Sequence, residues 1–367
     1  MTWPTKKLGE VLEKNGVIPA KIKRDDYQQS GKYPVVDQGE NLIAGYIDDE
    51  RKLYRGDLPV IVFGDHTRIV KYIDFPFAFG ADGIKILRPQ EILLPKFFYY
   101  ALVFNPVQNQ GYKRHFSLLT HTKILIPPLN IQKQIVERLD KIVEAQKLND
   151  GLIQKSDELF QSLLHKELSP ASKDWGVKKI KDVATVGNGG TPSTKNQKYW
   201  NGKILWLTPK ELSGFEDMEI FDTERKISDH GLNHSSAALF PTGTVLFTSR
   251  APIGYIAIAG VPMATNQGFK NFICDSKQLN NKFLYFFLRL KKKYLQSLGR
   301  GATFTEISKT IVEKVEIPLP PLGIQKQIVA KLSAVQDYKK QLLGQKSKLK
   351  ELFDSVLAKS FSGNLVK

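Results

Sequence analysis

The segment Ile131-Gln132-Lys133-Gln134-Ile135-Val136 recurs unchanged as Ile324-Gln325-Lys326-Gln327-Ile328-Val329, 193 residues later. Each copy follows a proline-rich hinge, Pro127-Pro128-Leu129 in the first and Pro318-Leu319-Pro320-Pro321-Leu322 in the second. Self-similarity outranks any single motif as a guide to architecture, and this period is far longer than the roughly 20–50 residues of a solenoid unit. It marks duplication of a whole domain. The chain is expected to fold as two related halves.

The duplication extends over nearly the whole sequence. Trp3, with Lys6-Lys7-Leu8-Gly9-Glu10-Val11, matches Trp175, with Lys178-Lys179-Ile180-Lys181-Asp182-Val183. Asn15-Gly16-Val17-Ile18-Pro19 parallels Gly189-Gly190-Thr191-Pro192, and Gly31-Lys32-Tyr33 parallels Gly202-Lys203-Ile204. Glu50-Arg51-Lys52-Leu53 matches Glu224-Arg225-Lys226-Ile227, and Val60-Ile61-Val62-Phe63 matches Val245-Leu246-Phe247. Further on, Asp82-Gly83-Ile84-Lys85 answers Gln267-Gly268-Phe269-Lys270, and Phe97-Phe98-Tyr99-Tyr100 answers Phe283-Leu284-Tyr285-Phe286. His115-Phe116-Ser117 is set against Thr303-Phe304-Thr305. Apolar anchors agree while polar loop residues differ, as expected of one scaffold carrying two surfaces.

Two long segments, from Asn130 to about His165 and from Gly323 to about Phe361, lack proline and consist mostly of helix formers. In the second, Ile328, Val335, Leu342, Leu349 and Val356 fall at seven-residue intervals, the seam of a coiled coil. The first repeats the seam more loosely through Ile135, Ile142, Ile153, Phe160 and Leu163, with Asn149 and Ser156 at the places of Leu342 and Leu349. Two seams in one chain are expected to pack antiparallel on each other, holding two globular domains at opposite ends of a rod about a pseudo-two-fold axis. A homodimeric coiled coil is the alternative.

The remaining sequence mixes short β-branched runs with helical patches, an α/β (α+β) composition. Strands are expected at Val60–Phe63, Ile69–Ile73 and Ile84–Leu87, then at Ile204–Leu207, Val245–Thr248 and Tyr255–Ala259. Buried helices are expected at Phe97–Phe104 and Phe283–Leu290, and Ser169-Pro170-Ala171-Ser172 reads as a linker. The expected organisation is therefore a globular domain over 1–129, a spacer helix over 130–168, a second domain over 169–322 and a second spacer helix over 323–367. The second domain is longer chiefly through extra residues between about 228 and 243.

A formal net charge of +17, spread along the chain and giving a pI near 9.6, points to a polyanion as partner. Nucleic acid is the commonest. No apolar run reaches the roughly 18 residues of a membrane-spanning helix, the start Met1-Thr2-Trp3-Pro4 has no signal-peptide character, and the single Cys274 fits a reducing cytoplasm.

Loops after matching strands carry the side chains suited to such a partner: Gly64-Asp65-His66-Thr67-Arg68 in the first half, Thr248-Ser249-Arg250-Ala251-Pro252 in the second. Arginine, histidine, asparagine and glutamine read base edges, while serine, threonine and lysine hold phosphates. The candidates in the first half are His66, Thr67, Arg68, Lys85, Arg114 and His115. In the second they are Thr191, Ser193, Lys195, Ser249, Arg250, Asn266, Gln267, Lys270, Arg300 and Thr303. Taken singly, each also reads as a solvated surface residue; the set carries the reading.

Catalytic groupings are not apparent. Gly187-Asn188-Gly189-Gly190-Thr191-Pro192-Ser193-Thr194-Lys195 lacks the Gly-Lys-Ser/Thr ending of a nucleotide-hydrolysing phosphate loop. His230 and His234 stand four apart, but Gly231 and Asn233 intervene and no third ligand follows, so no metal site is expected. The two Glu-Arg-Lys triplets lack a preceding Pro-Asp pair and read as salt-bridging turns rather than nuclease sites. No dinucleotide fingerprint, target-amine motif or hydrolytic triad is present.

With Phe63-Gly64-Asp65-His66-Thr67-Arg68, Phe79-Gly80-Ala81-Asp82-Gly83, Tyr199-Trp200, Thr265-Asn266-Gln267-Gly268 and the doubled Gln-Lys-Gln-Ile-Val helix start, the chain resembles the specificity (S) subunit of type I restriction-modification systems. The likeness covers essentially the whole chain. It implies a non-catalytic reader of double-stranded DNA, with one half of a split target read by each domain and the helix pair fixing the gap. It also implies two methyltransferase subunits that carry S-adenosylmethionine, and ATP- and Mg-dependent translocase-nuclease subunits, in a cytoplasmic complex. No cofactor of its own follows. Composition alone leaves a second reading, a non-catalytic coiled-coil scaffold or protein-interaction adaptor.

Overall fold

The structure, a computed structural model of the 367-residue chain, describes residues 3–13, 21–80, 83–111, 113–169, 175–250, 252–299 and 306–362. Of the sequence features above, Asn15–Pro19, Ala81-Asp82, Ala251, Arg300, Thr303 and the linker from Pro170 lie outside them. The chain forms two compact units, Met1–Gly151 with Leu343–Lys367, and Leu152–Leu342.

In the first unit, short apolar runs separated by Gly, Asp and Asn turns become strands β1 (Thr5–Lys7), β2 (Tyr33–Val36), β3 (Gly45–Ile47), β4 (Val60–Gly64), β5 (Val70–Ile73), β6 (Ala78–Phe79) and β7 (Ile84–Leu87). Helices α1 (Pro95–Phe104) and α2 (Phe116–His121), strand β8 (Lys123–Leu125) and the long α3 (Leu129–Leu168) follow. The strands form three small sheets, ordered β1-β8, β3-β2-β6 and β5-β4-β7. Proline at the first turn of α1 suits a position whose N–H needs no partner. The aromatic run behind it buries Phe97, Phe98 and Tyr100 against Ile61, Leu87, Ile135, Leu139, Leu357 and Phe361.

The second unit contains β9 (Val177–Lys179), β10 (Ala184–Asn188), β11 (Trp200–Leu207), β12 (Glu219–Ile220), β13 (Lys226–Ile227), α4 (Asp229–Asn233), β14 (Leu239–Phe240), β15 (Val245–Thr248), β16 (Ile256–Ala259), β17 (Met263–Thr265) and β18 (Phe269–Cys274). It continues through α5 (Asn281–Leu290), α6 (Lys292–Ser297), α7 (Lys309–Glu313), β19 (Glu316–Pro318) and α8 (Leu322–Phe361). Its sheets are ordered β10-β18-β15-β16-β12, β13-β11-β17-β14 and β19-β9.

Register shows that the units share one topology. Phe63 lies opposite Lys85 as Phe247 lies opposite Lys270. Tyr33 lies opposite Ile47 as Ile204 lies opposite Ile227. Val36 runs parallel beside Phe79 as Leu207 does beside Thr265. The same register corrects one sequence match. Ile227 stands where Ile47 stands, so Glu224-Arg225-Lys226 leads into a strand, whereas Glu50-Arg51-Lys52 is a turn that follows one. The triplets are similar in letters only. The extra length of the second unit includes α4 and β14, between residues 228 and 243, together with β10, β12 and α6.

The repeated hexapeptide has a specific physical role. Gln132 and Gln325 are fully buried at the starts of α3 and α8. Gln132 donates from Nε2 to the carbonyls of Ile92 and Pro127, both at 2.8 Å, and accepts the Leu94 N–H at 2.8 Å. Gln325 makes the same three bonds, to the carbonyls of Gln278 and Pro320 and from the Asn280 N–H, again at 2.8 Å. Leu94 and Asn280 are the N-cap residues of α1 and α5. Each glutamine thus ties the start of a long helix to the start of a buried aromatic one. A backbone group left unpaired inside a protein is costly, which restricts the position to a side chain with both a donor and an acceptor.

Within each unit the two long helices run antiparallel. In the second, Lys331 pairs with Glu167 at 3.1 Å and Lys339 with Asp157 at 2.7 Å, so progress along one helix is retreat along the other. In the first, Lys346 pairs with Asp150 at 2.9 Å and Gln146 donates to the Leu349 carbonyl at 3.3 Å. Of the seam positions, Ile135, Ile142, Phe160, Ile328 and Leu342 are buried, and Ile153, Leu163, Val335, Leu349 and Val356 are half-buried. Polar Asn149 and Ser156 are buried in it as well, and Leu164 is buried more completely than Leu163.

Candidate nucleic-acid interface

In both units the ends of the central strands converge on one cluster of loops. In the first unit it gathers the loop after β2, the β4–β5 loop and the turn before β7. The β4–β5 loop closes when Arg68, at φ +65°, donates its N–H to the Gly64 carbonyl at 2.7 Å. Thr67 Oγ1 donates to the Gln38 carbonyl at 2.7 Å and the His66 N–H to Gln38 Oε1 at 3.3 Å, joining two loops. Beneath them, the buried Lys71 ammonium donates to the carbonyls of Asp37, at 2.8 Å, and Asn41. Burial holds its pKa below the ordinary lysine value, against the pull of the Asp37 carboxylate.

Arg114 is exposed and Lys85 is half-buried over the Phe116 ring, 5.4 Å from its centre. Arg68 turns its guanidinium to the Val107 carbonyl at 3.2 Å. His115 corrects the sequence reading, because it is fully buried. Its Nδ1 lies 3.0 Å from the Asp65 carbonyl oxygen, which can only accept, so Nδ1 carries the proton and Nε2 accepts the Gln110 N–H at 3.2 Å. With the ring committed at both nitrogens, His115 shapes the loop and reads nothing.

The second unit builds the same cluster from other side chains. Gly254, at φ +103°, closes the loop by donating to the Thr248 carbonyl at 3.0 Å. Ser249 occupies the place of Asp65: each donates its N–H to a glycine carbonyl (Gly268 at 2.7 Å, Gly83 at 2.6 Å) and each carbonyl accepts a main-chain N–H at 2.9 Å, from Ile307 and His115 respectively. Arg250 therefore corresponds to His66, and Arg68 to Gly254; the two loop arginines are not equivalents. Likewise Ile307, rather than a residue near Thr303, answers His115.

Ser249 and Lys270, read from sequence as outward contacts, are both buried. Lys270 Nζ donates to Ser249 Oγ at 3.2 Å and pairs with Glu306 Oε1 at 3.2 Å. Arg250, only partly exposed, lies 3.6 Å from the other Glu306 oxygen. Asn266 uses Oδ1 to accept the Gly268 N–H at 2.8 Å, and the exposed Gln267 meets the Thr191 hydroxyl. Ser193 and Lys195 are exposed. The glycine pair before them is sterically fixed, because a Cβ on Gly189 would fall 1.8 Å from the Asn266 carbonyl oxygen.

Sequence reasoning passed over several members of these clusters. Gln38 sits in an Asp-Gln-Gly turn that only the parallel β2–β6 pairing brings to the β4–β5 loop. Glu306 bridges to Arg250 through the main chain. Arg225, read from sequence only as part of a salt-bridging Glu-Arg-Lys turn, stacks its guanidinium 3.7 Å above the Trp200 ring. His230 and His234 do pack together, rings 4.0 Å apart beside Tyr199, and no group of three metal-binding side chains occurs among the described residues.

The architecture is that of a duplicated α/β module with paired long helices. The type I restriction modification DNA specificity domain family matches residues 1–155 and 172–351, and the chain belongs to this family. It is 40% identical over 197 residues to the MjaIX specificity subunit of Methanocaldococcus jannaschii, a match spanning 53% of this chain and 44% of that protein. Against the EcoR124I/EcoR124II specificity subunit of Escherichia coli it is 26% identical over 347 residues, covering 88% and 84% of the two chains. In fold it is similar to the S subunit of the M. genitalium type I restriction-modification system, with a TM-score of 0.65, 15% identity, and coverage of 98% and 96%. The HsdS subunit of Thermoanaerobacter tengcongensis gives a TM-score of 0.53 at 18% identity, covering 99% and 97%.

Proposed function

We propose that this chain is the non-catalytic DNA-reading subunit of a type I restriction-modification complex, each unit recognising one half of a split, asymmetric duplex target. The observation that supports it most directly is one loop cluster built twice in the same topology, with His66, Lys85 and Arg114 in one copy and Arg250, Lys270 and Glu306 in the other. Shared scaffolding with different side chains suits the reading of two different sequences. The net charge of +17 supplies the non-specific attraction to phosphates.

On this reading the shared helix pair sets the number of base pairs between half-sites. Methyltransferase subunits bearing S-adenosylmethionine dock on the chain, and ATP- and Mg-dependent translocase-nuclease subunits join them in the cytoplasm. Exposed Leu148, Leu152 and Leu159 along α3, and Tyr338 and Leu352 along α8, offer apolar surface for such docking. Among the described residues no helix is long and apolar enough to cross a membrane.

The test is long-read sequencing of methylated adenines in the host, with and without the gene. A split motif that vanishes on deletion supports the reading, and an unchanged methylome refutes it. Inserting one helical turn into both α3 and α8 widens the gap and leaves both half-sites as they were.

A further inference from the structure

We propose that Glu306 is a positioning residue that aims the Arg250 guanidinium at a guanine in the half-site read by the second unit. This rests on the DNA-reading function above and assigns it a base.

The Lys270 side chain is 6% exposed, and a charge buried so deeply needs partners. It is held by the Ser249 hydroxyl and by one oxygen of Glu306, both at 3.2 Å. Ser249 is itself fully buried and fixed to the Gly268 carbonyl by both its N–H and its hydroxyl. Glu306 is therefore anchored from below, and its second oxygen is left to face Arg250 Nη1 at 3.6 Å. The main chains of Arg250 and Glu306 are also bridge partners, so the two side chains leave the backbone side by side.

A guanidinium is a rigid planar fork with five N–H groups; at 3.6 Å the Glu306 carboxylate draws one edge by charge, beyond hydrogen-bond reach, and leaves another edge free. A free, oriented edge matches the paired O6 and N7 acceptors of guanine, the commonest base contact of arginine. The Arg250–Glu306 pair is about one-third exposed on both sides, so it adds little to stability and its effect falls on geometry. Among the described residues of the first unit no such carboxylate–arginine pair stands at this place. His66 and Lys85 occupy the places of Arg250 and Lys270, and the exposed Arg114 precedes the anchoring N–H as Glu306 does in the second unit. A cation replaces the carboxylate.

The experiment expresses the full chain with its methyltransferase partners in the host and reads the base composition of methylated sites. Arg250→Ala is expected to lower discrimination for guanine at one position of one half-site by about 5- to 100-fold. Glu306→Gln is expected to relax that same position several-fold, with every other position unchanged, and Glu306→Asp to restore part of the preference. Arg250→Lys keeps the charge but not the fork and is expected to fall between wild type and Arg250→Ala. The untouched half-site reports folding of each variant in the same culture.

The proposal is overturned if Glu306→Gln lowers methylation at all sites without altering base preference, or if Arg250→Ala and Arg250→Lys relax a position other than guanine. A wild-type motif that persists without the gene refutes the DNA-reading function instead.

Discussion

Replacing Gln325 by leucine is expected to destabilise the second unit far more than its position at a helix start suggests. The substitution keeps the volume nearly constant but strands the carbonyls of Gln278 and Pro320 and the N–H of Asn280, all now bonded at 2.8 Å. Each unsatisfied buried group costs about 1–3 kcal/mol. Gln278 and Asn280 are only half-buried and recover some hydration, whereas Pro320 is buried. The loss is then about 3–6 kcal/mol, against a typical domain stability of about 5–15 kcal/mol. Exposed Gln327, two residues on, provides the control, and Gln327→Leu is expected to change stability by no more than about 0.5 kcal/mol.

Gln325→Glu sharpens the test. Its carboxylate would face two carbonyl oxygens, so folding raises its pKa. Stability is retained below the unfolded value of about 4.3 and lost as pH rises through the folded one. Urea unfolding followed by tryptophan emission suits the assay, because Trp175, Trp200 and Trp206 all lie in this unit. A Gln325→Leu protein within about 1 kcal/mol of wild type, or indistinguishable from Gln327→Leu, refutes the clamp.

Lys71 carries a pH signature. Its folded pKa lies below the ordinary 10.5, so the folded state releases its proton first and gains stability as pH rises between the folded and unfolded values. From pH 8 to pH 10, wild type should lose less stability than Lys71→Met in paired urea titrations, and equal losses would count against it. Burial pushes the Cys274 thiol up to about 12. Its native thiolate fraction at pH 8 is about 10⁻⁴, so iodoacetamide labelling by mass spectrometry should run about a thousandfold slower than in urea; rates within tenfold contradict this. His115→Ala should lower stability by about 2 kcal/mol through its lost bonds to Asp65 and Gln110, and leave the methylated base preferences intact. A base change confined to one position would return His115 to the reading surface.

Much of the fold was legible because copying preserved identical side chains where packing is strict. The matches Phe63 with Phe247, Lys85 with Lys270 and Phe97 with Phe283 agree with the strand registers and helix starts. The helix pair was legible from heptads. The burial of Gln132 and Gln325 was not, since helical periodicity assigns polar residues to solvent and says nothing of carbonyls waiting in another segment.

The candidate interface loops were the least legible. The second closes six residues after Thr248 and the first four after Gly64, so Arg68 and Arg250 differ in geometry although both stand in strand-end loops. Lys270 and Ser249 have surface-like identities, and only the partner Glu306, 36 residues from Lys270, explains their burial.

The first unit is assembled from two separated stretches, Met1–Gly151 and Leu343–Lys367. Leu357 and Phe361 complete the core around Phe97 and Tyr100, so the strip that seals the first unit is made only after the whole of the second. The second unit, contiguous from Leu152 to Leu342, is finished earlier in synthesis although it begins later. A premature stop after Leu342 would spare the later-encoded reader and unseat the earlier one.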